Sequence, residues 1–242
     1  MLLEICANSF ESALAAQQAG ADRIELCTEL SVGGLTPSFG LLEKVLVELT
    51  IPVHVLIRPR SGNFTYSETE LDIMLRDIET CKEIGCDGIV SGALTKELEV
   101  DLEVTKLLKA CSGSLEFTFH RAFDWVRNPF EALEQLKTMN VTRLLSSGQE
   151  PSAIKGIELL KKLQDSAGET LQVMPGGGIN TSNCQQFKKA GFAMLHCSAT
   201  RKIQTLHEAP KVSMQSLTLF NEGMVATSHI NTIKEIKGLL AK

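Results

Sequence analysis

Three short stretches share one pattern and decide the fold: Gly20-Ala-Asp-Arg-Ile-Glu25, Gly85-Cys-Asp-Gly-Ile-Val90 and Gly191-Phe-Ala-Met-Leu195. In each stretch a glycine follows a helical pattern, and a β-rich run begins just beyond it. Glycine suits the left-handed position that follows the C-terminus of a helix, so each stretch is typical of a junction between a helix and the next strand. Three copies of one junction indicate a repeated unit of helix and strand.

Outward from these junctions, eight short β-rich runs alternate with helical patterns along the chain. We predict strands at residues 2–6, 23–27, 53–58, 88–92, 115–120, 143–147, 171–175 and 193–197. Ser67 and Glu70 form a capping-box pattern, and Asn128-Pro129 places a helix cap before a first-turn proline. Strands that alternate with helices pair in parallel through right-handed crossovers. Eight units therefore predict an α/β fold, a (β/α)8 TIM-type barrel.

The length of 242 residues suits one barrel, so we predict a single domain over residues 1–242. Within it, residues 200–228 are expected to be irregular and the last helix to lie at about 229–241. The structural alternative is a doubly wound open sheet, which expects a Gly-x-Gly-x-x-Gly turn after the first strand. That position reads Ala7-Asn-Ser-Phe-Glu-Ser12 and contains no glycine.

Composition excludes several classes of function. The formal net charge of -5 gives no electrostatic footprint for nucleic acid. No apolar run approaches the ~20 residues of a membrane helix, and the first residues do not resemble a secretory signal. We therefore expect a cytoplasmic protein with no membrane or nucleic-acid partner, whose seven cysteines are thiols. None of them forms a Cys-x-x-Cys pair.

Strand alternation predicts which side chains face the barrel axis, because side chains two residues apart share one face of a strand. Ile5 and Leu26 would face the helices. The polar groups and thiols expected on the axis are Glu4, Cys6, Glu25, Cys27, His54, Arg58, Glu116, Thr118, His120 and His196. Such a cluster of charges is either an internal ion-pair network or a polar site with shifted pKa values.

The Glu-x-Cys pattern occurs at the end of both the first and the second strand. Because neighbouring strands lie ~4.8 Å apart, Cys6 and Cys27 at matching heights could share one soft metal ion. His196 on the eighth strand, beside the first in a closed barrel, could be a third ligand. The alternative is that the two thiols are simply buried.

Anion binding is the second hypothesis for the barrel mouth. Gly176, Gly177 and Gly178 follow the seventh strand, and barrels often bind phosphate through the loops after strands seven and eight. Arg58 and Arg60 end the third strand and suit bidentate anion binding. The alternative for the glycines is a tight turn.

Candidate catalytic residues lie at the same strand ends, where barrel enzymes place their chemistry. They are Glu25, Arg58, His120, Arg121 and Asp124. No strand end carries a lysine, which argues against Schiff-base chemistry. The loop 28–37, which contains Gly33-Gly34, is long enough to cover the mouth.

Taken together, these motifs resemble the CutC family. The motifs that carry the resemblance are Leu3-Glu-Ile-Cys6, Gly20-Ala-Asp-Arg-Ile-Glu-Leu-Cys27, Gly33-Gly-Leu-Thr-Pro-Ser38, Ile57-Arg-Pro-Arg60, Thr118-Phe-His-Arg-Ala-Phe-Asp124, Met174-Pro-Gly-Gly-Gly-Ile179 and His196-Cys-Ser-Ala199. The resemblance covers about residues 1–199 and implies a cytoplasmic (β/α)8 barrel with a role in copper homeostasis. It also implies Cu(I) ligands at Cys6 and Cys27, and family members are often homodimers or larger oligomers.

Three functions follow as hypotheses. The first is copper handling, with Cu(I) held by Cys6 and Cys27 at the C-terminal mouth of the barrel. The second is an enzyme, of unassigned reaction, that acts on a small anionic or phosphorylated substrate. The third is an interaction protein that uses its barrel surface, which a large exposed apolar patch would support.

Overall fold

A computed structural model describes residues 1–208, 210–214 and 222–241 of the chain. Eight parallel strands of the barrel are β1 Leu2–Ala7, β2 Arg23–Leu26, β3 Val53–Leu56, β4 Gly88–Ser91, β5 Glu116–Phe119, β6 Arg143–Ser146, β7 Gln172–Pro175 and β8 Met194–Cys197. Their order in the sheet is β7-β6-β5-β4-β3-β2-β1-β8. A parallel bridge between Gly176 and His196 joins the two outer strands. The predicted (β/α)8 barrel is confirmed, since a sheet whose ends meet is not an open doubly wound sheet.

Helices follow the strands and cover the outside of the barrel. They are α1 Phe10–Gln18, α2 Phe39–Glu48, α3 Glu68–Glu83, α4 Leu102–Cys111, α5 Pro129–Thr138, α6 Ile157–Ala167, α7 Cys184–Lys189 and α8 Ile230–Ala241. Both predicted caps form: the Ser67 side chain and the Glu70 carboxylate satisfy each other's backbone N–H groups, and Asn128 caps α5. Gly20, Gly85 and Gly191 all have positive φ, as the repeated helix–strand junction requires.

The segment 200–228 is more regular at its ends than the sequence suggests. Strands β9 Thr200–Gln204 and β10 Met224–Ser228 pair as an antiparallel hairpin, so the expectation of irregular structure was wrong there. Every residue of β9 is exposed. A strand held by backbone hydrogen bonds, with no buried face, lacks the alternation by which strands are recognised. Residues 209 and 215–221 lie outside the described residues.

The apolar residues divide between the outside and the inside of the barrel. Ile5 and Leu26 belong to the large core between strands and helices. Inside the barrel, a separate small cluster contains Cys6, Cys27 and Leu56. The strand faces therefore alternate as predicted, with the thiols toward the axis.

The lower half of the barrel interior is filled by charged side chains. Arg23 Nε donates to Glu4 Oε2 at 2.5 Å. Glu116 accepts from Arg143 and from His54 Nε2, the latter at 3.1 Å. All of these groups except Glu116 are buried. The hydrogen bond from His54 lowers the pKa of Glu116, and the hydrogen bond and charge of Arg143 lower it further. Together they outweigh partial burial, which would raise this pKa, and bring it to about 2. Carboxylates and cations thus neutralise each other where isolated charges would be costly.

No helix in the described ranges is long and apolar enough to cross a membrane.

Gly88 lies where the barrel interior has no room for a side chain. A Cβ added there would come within 2.6 Å of the His54 imidazole. We expect Gly88→Ala to lower the free energy of unfolding by about 1–3 kcal/mol, the usual penalty of overpacking. Gly40 in α2 is the control, because its added Cβ would meet no atom within 4 Å, and Gly40→Ala should be neutral or stabilising. The free energies of unfolding of both variants are measured in urea. Equal changes in the two variants would contradict the prediction.

Glu116 makes stability depend on pH in a defined direction. Its folded-state pKa of about 2 lies below the ordinary value of 4.5, so its contribution is complete above pH 4.5 and is lost as the pH falls toward 2. We expect Glu116→Gln to lower stability at pH 7 by roughly 1–2 kcal/mol, because water screens a half-exposed carboxylate. The deficit should shrink between pH 4.5 and 2. Glu134→Gln, which breaks only an exposed pair with Lys137, should show neither effect in unfolding measured across pH.

Candidate functional site

A cavity of about 230 Å³ opens at the C-terminal ends of the strands. Its walls come from strands on both sides of the barrel and from the loops that follow them. The lining residues are Cys6, Glu25, Leu30, Gly33, Leu56, Arg58, Phe64, His120, Arg121, Leu145, Gly177, Gly178, Ile179, His196, Cys197 and Ser198. Leu30 and Gly33 belong to the loop 28–37, which covers part of the mouth as expected.

Cys6 and Cys27 lie side by side at the base of this cavity. Their Sγ atoms are 3.5 Å apart, and both residues are buried. Cys6 lines the cavity, whereas the fully buried Cys27 does not. The contact with Cys27, together with burial, raises the pKa of the Cys6 thiol well above its usual value. The Cys6 thiol can become a metal ligand only by losing its proton.

His196 approaches the same thiol from β8 and is fixed by Glu4. Its Nδ1 lies 2.8 Å from Glu4 Oε1, and Glu4 is held in turn by Arg23. Burial alone would raise the pKa of Glu4, but the hydrogen bond with His196 and the Arg23 charge lower it well below its usual range. An ionised Glu4 therefore orients the ring, which leaves Nε2 for the cavity side.

Glu25 completes a cluster of possible ligand atoms. Atoms of Cys6, Glu25 and His196 all lie within 4.8 Å of one another. Glu25 Oε1 accepts from Cys6 Sγ at 3.5 Å, while its buried Oε2 has no hydrogen-bond partner among the described residues. Burial raises the pKa of Glu25. This predicted catalytic candidate therefore lies beside the thiol pair.

His120 is a neutral imidazole in the cavity wall. Burial, reinforced by the Arg58 charge, lowers its pKa to about 3. Its Nδ1 accepts from the backbone N–H of Ala122, so the proton resides on Nε2. That buried Nε2 has no partner in the described part of the chain. The ring packs against Phe64 with centroids 4.9 Å apart, so it is a fixed donor, while a basic role at neutral pH does not fit this pKa.

Arg58 lines the cavity but is occupied mainly by the covering loops. Its Nη1 donates to the carbonyls of Val32 and Gly34 at 2.7 and 2.9 Å, and its Nη2 donates to that of Gly62 at 2.8 Å. Only its buried Nε lacks a partner among the described residues. Its main role is therefore to hold the loops after β2 and β3 together.

Besides Cys27 and Gly176, two predicted site residues do not line the cavity, Arg60 and Asp124. Arg60 binds Glu70 at 2.5 Å and the carbonyl of Thr65 at 2.8 Å, so it anchors its own loop to α3 and is not brought together with Arg58 and the glycines as an anion-binding group. Asp124 accepts from Ser146 Oγ at 2.6 Å and from Ser147 Oγ at 2.9 Å. Since Arg121 also pairs with it, the carboxylate of this catalytic candidate is occupied by hydrogen bonds to its neighbours.

The three glycines after β7 have different roles. Gly176 closes the barrel beside His196, and its N–H donates to Ser146 O, so this amide is not available to an anion. A Cβ at Gly176 would come within 2.5 Å of Leu145. Gly177 and Gly178 have positive φ values of 106° and 74° and line the cavity. Of the three glycines predicted to bind an anion, only Gly177 and Gly178 therefore line the cavity.

Arg23 is the residue that the sequence analysis overlooked. It lies two positions before Glu25 and therefore shares its strand face. The same alternation that places Glu25 inside the barrel could have identified it. Its effect on the site is indirect, because it keeps Glu4 ionised and in place.

Comparisons with known proteins agree with this architecture. The CutC family model matches residues 1–201. A human protein named copper homeostasis protein cutC homolog is 48% identical over 199 residues, which cover 82% of this chain and 73% of the human protein. A family protein CutC from Chromobacterium violaceum is 46% identical over 203 residues, covering 84% of this chain and 82% of that protein.

Solved structures extend the similarity to the fold. A crystal structure of the CutC protein of Streptococcus agalactiae has a TM-score of 0.78 and 34% identity, covering 82% of this chain and 98% of that one. Thiamine phosphate pyrophosphorylase from Pyrococcus furiosus, at 14% identity and a TM-score of 0.59, covers 99% of this chain and 95% of its own, and it shares the barrel fold alone. The family model and the relatives together show that this chain belongs to the CutC family of copper homeostasis proteins.

Proposed function

We propose that the protein binds copper(I) as its cargo through Cys6 and Cys27, with His196, which is grouped with Cys6 and Glu25 but not with Cys27, as a third ligand. The observation that carries the proposal is the 3.5 Å separation of the two sulfur atoms in a buried site. Two sulfur ligands at about 2.3 Å from one ion, a distance typical of metal–thiolate bonds, can be at most about 4.6 Å apart. The pair is thus close enough to share an ion without a change of backbone.

The donor set favours a soft ion. Thiolates and imidazole select copper(I) and zinc over magnesium or calcium, which prefer oxygen. His196 is oriented by Glu4 in the carboxylate–histidine arrangement that supports metal ligands. The names of the relatives favour copper between the two soft ions.

Loading requires the thiol protons to leave, and the site contains a group that can receive one. Glu25 Oε1 already accepts a hydrogen bond from Cys6 Sγ, so this carboxylate can take the proton as the thiolate forms. Buried free thiols of this kind persist in a reducing compartment, and we place the function in the cytoplasm for that reason.

Removing both thiols should abolish tight copper binding. We expect the Cys6→Ser, Cys27→Ser double variant to bind Cu(I) at least on the order of 100-fold more weakly, since loss of a ligand exceeds the effect of an outer-shell change. The measurement is an anaerobic titration of reduced protein against a competing chelator. Cys111→Ser, whose partly exposed thiol bonds to Glu79 outside the barrel, is the matched control. Equal, weak Cu(I) binding by the parent protein, the double variant and Cys111→Ser contradicts the proposal. If the parent binds Zn(II) more tightly than Cu(I), copper is not the metal that this site selects.

His196 is tested separately. We expect His196→Asn to weaken Cu(I) binding roughly 10- to 100-fold, because it removes the imidazole nitrogen while keeping a polar side chain. His207→Asn changes an exposed histidine of the loop after β9 and should leave affinity unchanged. Thermal unfolding of each variant shows that the barrel is intact. If both variants match the parent protein in affinity, His196 is not a ligand.

A further inference from the structure

Two backbone amides in the cavity are free to bind an anion. Among the described residues, the N–H groups of Gly177 and Gly178 donate no hydrogen bond. Their carbonyls, in contrast, are occupied: Gly177 O accepts from Ala153 N, and Gly178 O accepts from Asn183 Nδ2, each at 2.9 Å. Consecutive amides in a positive-φ turn form a concave anion-binding surface. Both glycines line the cavity at the place where barrels commonly bind phosphate.

Arg121 provides a positive charge beside these amides. Its Nε donates to Asp124 Oδ2 at 2.7 Å and its Nη2 to Ser147 Oγ at 2.8 Å, so the guanidinium is fixed. Its Nη1 donates no hydrogen bond within the described ranges, and a Cβ built on Gly177 would lie 3.4 Å from that atom. The side chain is 45% exposed, so a ligand can reach it from solvent. Arginine and backbone amides together suit a phosphate group.

The cavity also offers a hydrogen-bond donor and an acceptor. His120 and Glu25 both line it and are at least 95% buried, and His120 Nε2 and Glu25 Oε2 are unpartnered among the described residues. Buried polar atoms normally have partners. A hydroxyl group, which both donates and accepts, can satisfy each of these atoms. The cavity of about 230 Å³ lies below the ~300–1,000 Å³ of drug-sized pockets, so its ligand is small.

We propose that this cavity binds a small hydroxylated phosphate monoester, with the phosphate on Gly177, Gly178 and Arg121 and a hydroxyl toward His120 and Glu25. This goes beyond copper binding and does not depend on it, because none of the three phosphate-binding residues is a proposed copper ligand. The two ligands would occupy one cavity from different sides, the soft ion at the thiols and the anion at the loop after β7.

The test uses full-length, metal-free, reduced protein labelled with ¹⁵N. Inorganic phosphate, glycerol 1-phosphate and glycerol are titrated at constant ionic strength while the amide resonances of Gly177 and Gly178 are followed. We expect saturable shifts with phosphate, tighter binding of glycerol 1-phosphate, and none with glycerol. Sulfate and acetate are titrated in the same way to distinguish a phosphate site from general attraction of anions. If either of them shifts the two amide resonances as much as glycerol 1-phosphate does, the proposal is overturned. Unmoved glycine amides would also overturn it.

Variants separate this site from the copper site. Arg121→Gln should weaken glycerol 1-phosphate binding roughly tenfold or more, the worth of a charge-assisted hydrogen bond. Arg127→Gln, the same change at an exposed position outside the cavity, should bind like the parent. Because Arg121 also holds Asp124, Arg121→Lys is the second variant: it keeps the charge, loses the planar fork, and should bind with intermediate affinity. The Cys6→Ser, Cys27→Ser variant should retain full phosphate-ester binding, whatever its copper affinity. Parent-like binding in both Arg121 variants contradicts the proposal.

Discussion

The rest of the barrel interior depends on the two interactions made by the fully buried carboxylate of Glu4. It accepts from Arg23 on one side and pairs with His196 on the other, so it belongs both to the charged lower half and to the cavity above. Without it, a buried arginine would lose its compensating charge and an imidazole its orientation. Stability of the barrel and geometry of the site are therefore coupled through one side chain that never contacts a ligand.

The fold follows from the sequence because its signals are local. A glycine at each helix–strand junction and two-residue alternation in each strand depend only on neighbours, and they sufficed for the barrel and for the placement of Cys6, Glu25 and Cys27 on its axis. Arg60 and Asp124 could not be assigned in this way. A charged residue at a strand end looks the same in the sequence whether its side chain faces a cavity or is already hydrogen-bonded. The partners of Arg60 and Asp124, which include Glu70 in α3 and Ser147 after β6, lie in other elements. The hairpin of β9 and β10 was missed for a related reason: β9 pairs through its backbone without burial and so leaves no apolar pattern.

Two chemically different kinds of binding group lie in one small cavity. The thiols of Cys6 and Cys27 are soft and polarisable, whereas the amides of Gly177 and Gly178 and the guanidinium of Arg121 suit hard oxygen anions. The division follows the barrel itself: the thiols lie in β1 and directly after β2, and the amides and the cation lie in the loops after β7 and β5. A closed barrel brings these elements within one mouth although they lie far apart in sequence, so fold alone does not choose between a metal and a metabolite.

The hydrogen bonds from Arg58 to three loop carbonyls limit where a ligand can enter the cavity. Val32, Gly34 and Gly62 fasten the covering loops to a buried cation, so opening that side would break several charge-assisted hydrogen bonds at once. The opposite rim carries the half-exposed Arg121 and the glycine turn. Access to the cavity should therefore lie on the side of the β5 and β7 loops, where the charged Arg121 stands at the rim, while the Arg58 side acts as a fixed wall.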